Sequence, residues 1–220
     1  MFTKKEKDLL SSIILGDGNI YKSKDYNSYT ISCGHGANQK DYVEYKLLLL
    51  KEFLPKYFKN VFIEEKEILY NNKKFLQYRF RKSSKDFEEL YEEYSDIKMF
   101  LSNIKSDRSV SIWFMDDGCV IKSWRRLNNG EKSYSRPSLK LCTHCFSLEE
   151  NEIICEWFYK KYKIKPHILT EKKKGKTYYF IKFNVDETYE VYRKILKQYI
   201  DCCESMRIKF QWLTSYYCNV

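Results

Sequence analysis

Proline and glycine are scarce, at 3 and 7 of 220 residues. That excludes collagen-like and low-complexity chains, which need those residues in bulk, and predicts regular elements joined by short loops. Long apolar runs are missing too. The purely apolar stretches, such as Leu47–Leu50 and Ile112–Met115, fall far short of the roughly 20 residues that a membrane-spanning helix requires. The opening Met1-Phe2-Thr3-Lys4-Lys5-Glu6-Lys7-Asp8 has no apolar core and carries acids, which argues against a secretory signal or a transit peptide.

What is present is charge and aromatic bulk. Lys and Arg total 40 against 30 for Asp and Glu, a formal net charge of +10. Charged residues make up 32% and hydrophobic ones 43%, enough to bury a core in one large domain or two modest ones. Aromatics reach 17%, with 20 tyrosines. A basic surplus attracts polyanions, although a merely soluble basic protein would show the same balance. The 8 cysteines, two of them adjacent (Cys202 and Cys203), read as reduced intracellular thiols and not as a disulfide framework. Abundant Lys, Asn, Tyr, Ile and Phe point to AT-rich codons, as in an organelle, a phage or a low-GC bacterium.

Along the chain, periodicity predicts a helix from Lys4 to about Gly16, strands at Ile20–Lys24 and Tyr29–His35, and an amphipathic helix from Asp41 to Phe53 ended by Pro55. A hairpin, Val61–Tyr70 and Phe75–Lys82, turns at Asn71–Lys74, and Ser84 caps a helix to Tyr94. The order then restarts. A helix covers Asp107–Asp116, and strands Cys119–Trp124 and Ser138–His144 flank a polar loop, Arg125 to Pro137. A helix from Ser147 to Tyr162 opens with Ser147 and Glu150 at capping-box spacing. A hairpin over His167–Lys172 and Thr177–Asn184 precedes a helix from Asp186 to Ile200. Helix–strand–strand–helix–strand–strand–helix thus occurs twice, with a boundary near 95–106, as a duplicated unit would.

The helices that open the two repeats are Leu10-Ser11-Ser12-Ile13-Ile14-Leu15-Gly16-Asp17-Gly18 and Val110-Ser111-Ile112-Trp113-Phe114-Met115-Asp116-Asp117-Gly118. Both end in Asp-Gly, and their last aspartates, Asp17 and Asp117, lie 100 residues apart. This pair resembles the LAGLIDADG homing endonucleases in their single-chain, two-motif form. The stretch Leu139–Glu150 and the segment Met206-Arg207-Ile208-Lys209-Phe210 extend the resemblance over nearly the whole chain. It implies an α+β fold of two pseudo-symmetric αββαββα halves, residues 1–98 and 99–220. Each half would carry a four-stranded antiparallel sheet, the sheets forming a DNA-binding saddle, with the motif helices packed at the central interface. Ser12 and Gly16 leave one helical face small, whereas Ile112 and Asp116 are bulky at the equivalent positions, so the close crossing would have the first helix accept bulk from the second.

The resemblance also implies roles. Asp17 and Asp117 would hold Mg²⁺, two or more ions with Mn²⁺ able to substitute, near one scissile phosphate per strand; Asp116 is passed over because the family pattern uses the residue just before the final glycine. His35 and His144 occupy matching places and are candidates to orient or deprotonate the attacking water. Lys209, and more loosely Lys98, match the lysine that relatives place near each centre. The exposed sheet faces would read DNA through Gln77, Arg79 and Arg81 in the first half and Lys140, Lys182 and Asn184 in the second. Cys142-Thr143-His144-Cys145 lacks a second paired spacing, so strand-end thiols are a better reading than zinc.

The function implied is a monomeric, site-specific double-strand DNA endonuclease that cuts one phosphodiester in each strand across the minor groove of a long, asymmetric target. Double-stranded DNA is the expected partner, and a membrane is not. Alternatives are an intron RNA maturase, whose partner would be its host intron RNA, and a non-catalytic DNA-binding regulator on the same fold.

Overall fold

The computed structural model describes residues 2–24, 27–122, 124–126, 128–130, 132–134 and 136–218. Packing groups the chain into two units, residues 1–116 with 201–207 and residues 117–200 with 208–220. These units differ in extent from the sequence repeats 1–98 and 99–220, because the division falls between the adjacent acids Asp116 and Asp117.

The first unit begins with α1 (Lys4–Leu15), fixed at its start by a reciprocal capping box between Thr3 and Glu6. Its Leu9, Leu10, Ile13, Ile14 and Leu15 are buried. Strands β1 (Gly18–Lys22), β2 (Tyr29–Gly36), β3 (Glu64–Tyr70) and β4 (Lys73–Ser84) form an antiparallel sheet in the order β1-β2-β4-β3. The β3–β4 turn needs two left-handed residues and has them in Asn71 (φ 48°) and Asn72 (φ 58°), since asparagine tolerates that conformation. Helix α2 (Lys40–Phe53) buries Tyr42, Val43, Lys46, Leu47, Leu49 and Leu50, and the short α3 (Pro55–Phe58) follows. An aromatic cluster of Phe2, Tyr57 and Phe87, with ring centroids 5.3–5.8 Å apart, closes the core.

Helices α4 (Glu88–Glu93), α5 (Ile97–Asn103) and α6 (Asp107–Asp117) complete this run. The α5 helix lies in the stretch expected as a boundary; at 7 residues it is too short to display an apolar period. Buried Asp8 on α1 accepts the backbone N–H groups of Lys105 (2.7 Å) and Ser106 (3.3 Å), which fixes the start of α6 against α1. At the other end, a Cβ on Gly16 would lie 2.1 Å from Asp116 Oδ2, so the first motif helix gives way to a side chain of the second. Asp41 accepts the Ser205 N–H at 2.9 Å, tying residues 201–207 to this unit.

In the second unit β5 (Gly118–Ile121), β8 (Ser138–Leu141), β9 (His167–Lys173) and β10 (Lys176–Phe183) pair antiparallel in the order β5-β8-β10-β9. Within the loop expected from 125 to 137, two short strands, β6 (Trp124–Arg126) and β7 (Lys132–Tyr134), form a separate hairpin. Three-residue strands carry too little alternation to be read from sequence. Helix α7 (Leu148–Tyr162) starts with the expected Ser147–Glu150 capping box and packs Phe158 against Phe183 (5.2 Å). Helix α8 (Val185–Val191) ends earlier than expected and continues as a wider, π-helical turn over Tyr192–Leu196. Helix α9 (Glu204–Cys218) contains the segment Met206–Phe210. None of the described helices is long and apolar enough to cross a membrane.

One buried side chain ties α8 to the sheet. The Thr188 hydroxyl accepts the Leu139 N–H and donates to the Phe183 carbonyl, both at 2.9 Å. Thr188→Val keeps the shape and removes both bonds, leaving a buried N–H and C=O unpaired. Denaturant unfolding followed by circular dichroism should show a loss of about 1–3 kcal/mol.

Candidate active site

The first motif helix ends where its local geometry demands. Gly16 N–H donates to the Ser12 carbonyl (3.2 Å), and a Cβ at Gly18 would sit 2.3 Å from the Ile13 carbonyl oxygen, so only glycine permits β1 to turn back this tightly. Asp17 is held in that turn. The register Gly18↔Cys33 sets the turn beside the inward-facing side of β2, where His35 follows Cys33 by one pleat.

Four side chains converge here. His35 Nδ1 lies 3.4 Å from Asp17 Oδ2, and His35 Nε2 lies 3.7 Å from Asp116 Oδ1. The Lys46 ammonium is 2.5 Å from Asp116 Oδ1 and 3.0 Å from His35 Nε2. Asp116 Oδ2 accepts the backbone N–H of Asp17 at 3.1 Å. The Lys46 and Asp116 side chains are 0% exposed and His35 is 4% exposed, whereas the Asp17 carboxylate is 44% exposed. Three of the four (Asp17, His35 and Asp116) have ligand atoms within 4.8 Å of one another, the one such His/Cys/Asp/Glu cluster among the described residues.

Burial works against the Lys46 ammonium, but the neighbouring Asp116 carboxylate outweighs it and holds the group above its ordinary value. The Tyr42 ring lies 4.3 Å under that ammonium, and the Tyr42 hydroxyl donates to the Ile112 carbonyl at 3.2 Å. Burial pushes the Cys33 thiol up to about 11, so it stays protonated beside Lys46 Nζ (3.5 Å).

Sequence reasoning missed Lys46. The signal was a lysine at an inward position of α2, in phase with Tyr42, Val43, Leu49 and Leu50 on a stripe that otherwise carries apolar and aromatic side chains. Asp116, passed over in favour of Asp117, joins the Asp17 cluster. Lys98 is exposed in the first turn of α5, with its N–H donating to the capping Asp96 carboxylate at 2.8 Å.

In the second unit the Asp117 carbonyl accepts the Cys142 N–H at 2.9 Å, just past the Gly118↔Leu141 pair. Burial raises the Cys142 thiol, with Lys140 opposing it, and Lys209 sits on α9 with its ammonium 5.7 Å over the Phe210 ring. His144 does not share the surroundings of His35. Its Nε2 lies 3.3 Å from Glu171 Oε2, and its ring packs 5.7 Å from Phe180. Burial, then Lys140, lowers its pKa below the ordinary value.

The candidate DNA contacts fall on the outer faces of the two sheets, except Asn184, which lies past the end of β10 at the start of α8. Gln77, Arg79 and Arg81 stand opposite Gly36, Gly34 and Ser32, on the side away from Cys33 and His35. Gly34 is required there, because a Cβ would lie 2.7 Å from the Arg79 Cβ. Glu64 takes Arg79 through two bonds (3.1 and 3.2 Å) and Arg81 through a third (3.1 Å). Burial opposes the Glu64 charge, but the two guanidinium groups hold its carboxyl below the usual range. A shallow groove lined by Asp17, Asn19, Tyr21, Gln77, Arg79 and Arg81 joins this face to the Asp17 carboxylate. On the second sheet Lys140 and Lys182 are direct cross-strand partners, and Glu171 Oε2 lies 3.8 Å from the Lys140 ammonium. Lys140 also lies 3.9 Å over the Phe180 ring, and exposed Asn184 follows the end of β10.

A sequence model of LAGLIDADG DNA endonucleases matches residues 8–190, spanning both motif helices and both sheets. The chain belongs to the LAGLIDADG DNA endonuclease family. Among solved structures, this family member is similar to the homing endonuclease I-WcaI bound to its DNA recognition sequence, at 22% identity over 94% of this chain and 86% of that one, with a TM-score of 0.69. It is also similar to mesophilic variants of the homing endonuclease I-DmoI, at 13% identity over 88% of this chain and 96% of that one, with a TM-score of 0.51. A variant of I-DmoI in complex with its target DNA in the presence of 2 mM Mg matches at 13% identity over 87% of this chain and 96% of that one, TM-score 0.50. At these identities the likeness establishes the fold. No curated protein matches.

The buried pair at the heart of this LAGLIDADG site has a measurable signature. Lys46→Met alone leaves the Asp116 charge buried beside an apolar chain and should cost about 3–5 kcal/mol in denaturant unfolding. Adding Asp116→Leu removes the orphaned charge and keeps its branched shape, so the double variant should regain most of that loss.

Proposed function

We propose that the chain is a site-specific endonuclease that binds a long, asymmetric double-stranded DNA site and hydrolyses one phosphodiester in each strand with the help of divalent metal. One observation carries the reading: the partly exposed Asp17 carboxylate opens into the same groove as Gln77, Arg79 and Arg81. A metal-binding acid and a basic, hydrogen-bonding strand face in one groove suit a phosphodiester backbone whose bases lie within reach of strand side chains.

The donor set fits a hard cation. Mg²⁺ takes one or two protein carboxylates and fills its shell with phosphate oxygens and water. Asp17 would be its ligand in the first half, and Asp117 in the second. The imidazole of His35 and the Asp116 oxygens, which already accept from Lys46 and the Asp17 N–H, do not make a closed protein cage around it. When bound, the ion supplies charge neutralisation at the phosphate and an acidified water.

The chain's own side chains do the rest. His35 faces the Asp17 carboxylate and orients it; His144 and Lys209 serve the second half. Arg79 and Arg81 exchange the Glu64 carboxylate for phosphate or base edges when DNA arrives, and Lys140, with Lys182 opposite it, exchanges Glu171 for a phosphate. The two halves differ in sequence at these positions, which makes the preferred target asymmetric. The partner is double-stranded DNA, bound by a monomer.

The test incubates the purified chain with a randomised DNA library in Mg²⁺ and, separately, in Ca²⁺, and sequences the cut and bound molecules. Cleavage at one long site in Mg²⁺ is expected, with Asp17→Asn and Asp117→Asn each lowering it about 10²- to 10³-fold, the scale for removing a group that acts on developing charge. Selective binding with no cut would point to a regulator. Binding of host intron RNA with no selective DNA binding would point to a maturase.

A further inference from the structure

A lysine with no solvent exposure, paired with an equally buried aspartate, is an expensive feature in a protein core: replacing such a pair with apolar side chains is often neutral or stabilising. The pair stabilises the fold poorly, so its value lies in what it holds. Asp116 grips from two sides, taking the Lys46 ammonium on Oδ1 and the Asp17 backbone N–H on Oδ2. Lys46 in turn reaches His35 Nε2 at 3.0 Å.

An ammonium can only donate. His35 Nε2 must then accept, which places the imidazole proton on Nδ1, and Nδ1 faces Asp17 Oδ2 at 3.4 Å. The Cys33 sulfur accepts from Lys46 at 3.5 Å, and its S–H, 3.9 Å from Nε2, can donate to the same ring nitrogen, which agrees with an accepting Nε2.

We infer that Lys46 and Asp116 are positioning residues for Asp17: Asp116 fixes the backbone of the acid, and Lys46 fixes His35 in the Nδ1–H tautomer that directs an N–H at its carboxylate. The two adjacent acids of the second motif thereby divide their work. Asp116 braces the centre of the first half, and Asp117 is left to the second. The same logic explains why Gly16 and Asp116 differ at equivalent repeat positions, because the glycine vacates the space that the Asp116 side chain fills. This inference rests on the proposal that Asp17 acts at the scissile phosphate.

The experiment separates the two claims. In the metal-free full-length chain with ¹⁵N-labelled histidine, the three histidines are assigned through His144→Gln and His167→Gln. His35 should show a protonated, pyrrole-type Nδ1 and a pyridine-type Nε2. In Lys46→Met, and in Lys46→Met/Asp116→Leu, which carries no orphaned buried charge, that signature should shift toward the Nε2–H form. Single-turnover cleavage in Mg²⁺ should fall about 10- to 100-fold, as when a partner behind a metal ligand is removed. DNA affinity in Ca²⁺ should be unchanged.

An unaltered His35 signature in both folded variants overturns the inference, and so does an altered signature with wild-type cleavage. Asp17→Asn that cuts as fast as wild type would instead remove the nuclease reading beneath it. That result is distinguishable, because the metal-free histidine signature is measured without cleavage.

Discussion

The Lys46–Asp116 ion pair is the constraint on which the first unit's site is built. Its two charges are out of water, so each requires the other, and the hydrogen bonds around them leave little freedom to the groups they touch. The pair spans α2 and α6 and reaches the turn after α1 through the Asp17 N–H. An exposed pair at the same distance would fix its neighbours far less firmly, because water would screen the charges and the side chains would wander.

Around that anchor the sheet does a different job. Strand alternation sends Ile31, Cys33 and His35 inward and Ser32, Gly34 and Gly36 outward, so one strand supplies a core histidine and a floor for arginines on its opposite face. The outward residues of β2 are small, and Arg79 and Arg81 lie across them, held by Glu64. Ordering these long side chains before an anion arrives reduces the entropy lost on binding, while the single carboxylate between them is a partner that a phosphate can replace. The second sheet has a comparable arrangement, with Lys140 laid over Phe180 and the Glu171 carboxylate 3.8 Å from its ammonium.

Much of this was legible in the sequence because its signals are local. Apolar spacing marks α1, α2, α6 and α7; Ser147 with Glu150 marks a helix start; the Asn71-Asn72 and Lys174-Gly175 turns mark the two long hairpins. The duplicated order of elements and the paired Asp-Gly endings identified the family. Short elements were missed for the opposite reason. The α5 helix and the β6–β7 hairpin are too brief to show a period, and the end of α8 turns irregular where tertiary packing overrides propensity.

The sequence by itself determined which acids end the motif helices, which strands alternate, and that the chain is built from a repeated unit. Those properties depend on neighbours within a few residues of one another. Only the tertiary structure decided which of the two adjacent aspartates meets Asp17, and that a lysine stands behind both. Asp116 and Asp117 are chemically identical and differ by about 100° of helical rotation, so composition and spacing cannot say which one turns toward α1. Lys46 lies 29 residues beyond Asp17 and 70 before Asp116, and no local pattern links the three. They meet because α2 crosses the inner face of the sheet while Gly16 leaves room for Asp116, a convergence that exists only once the layers have packed.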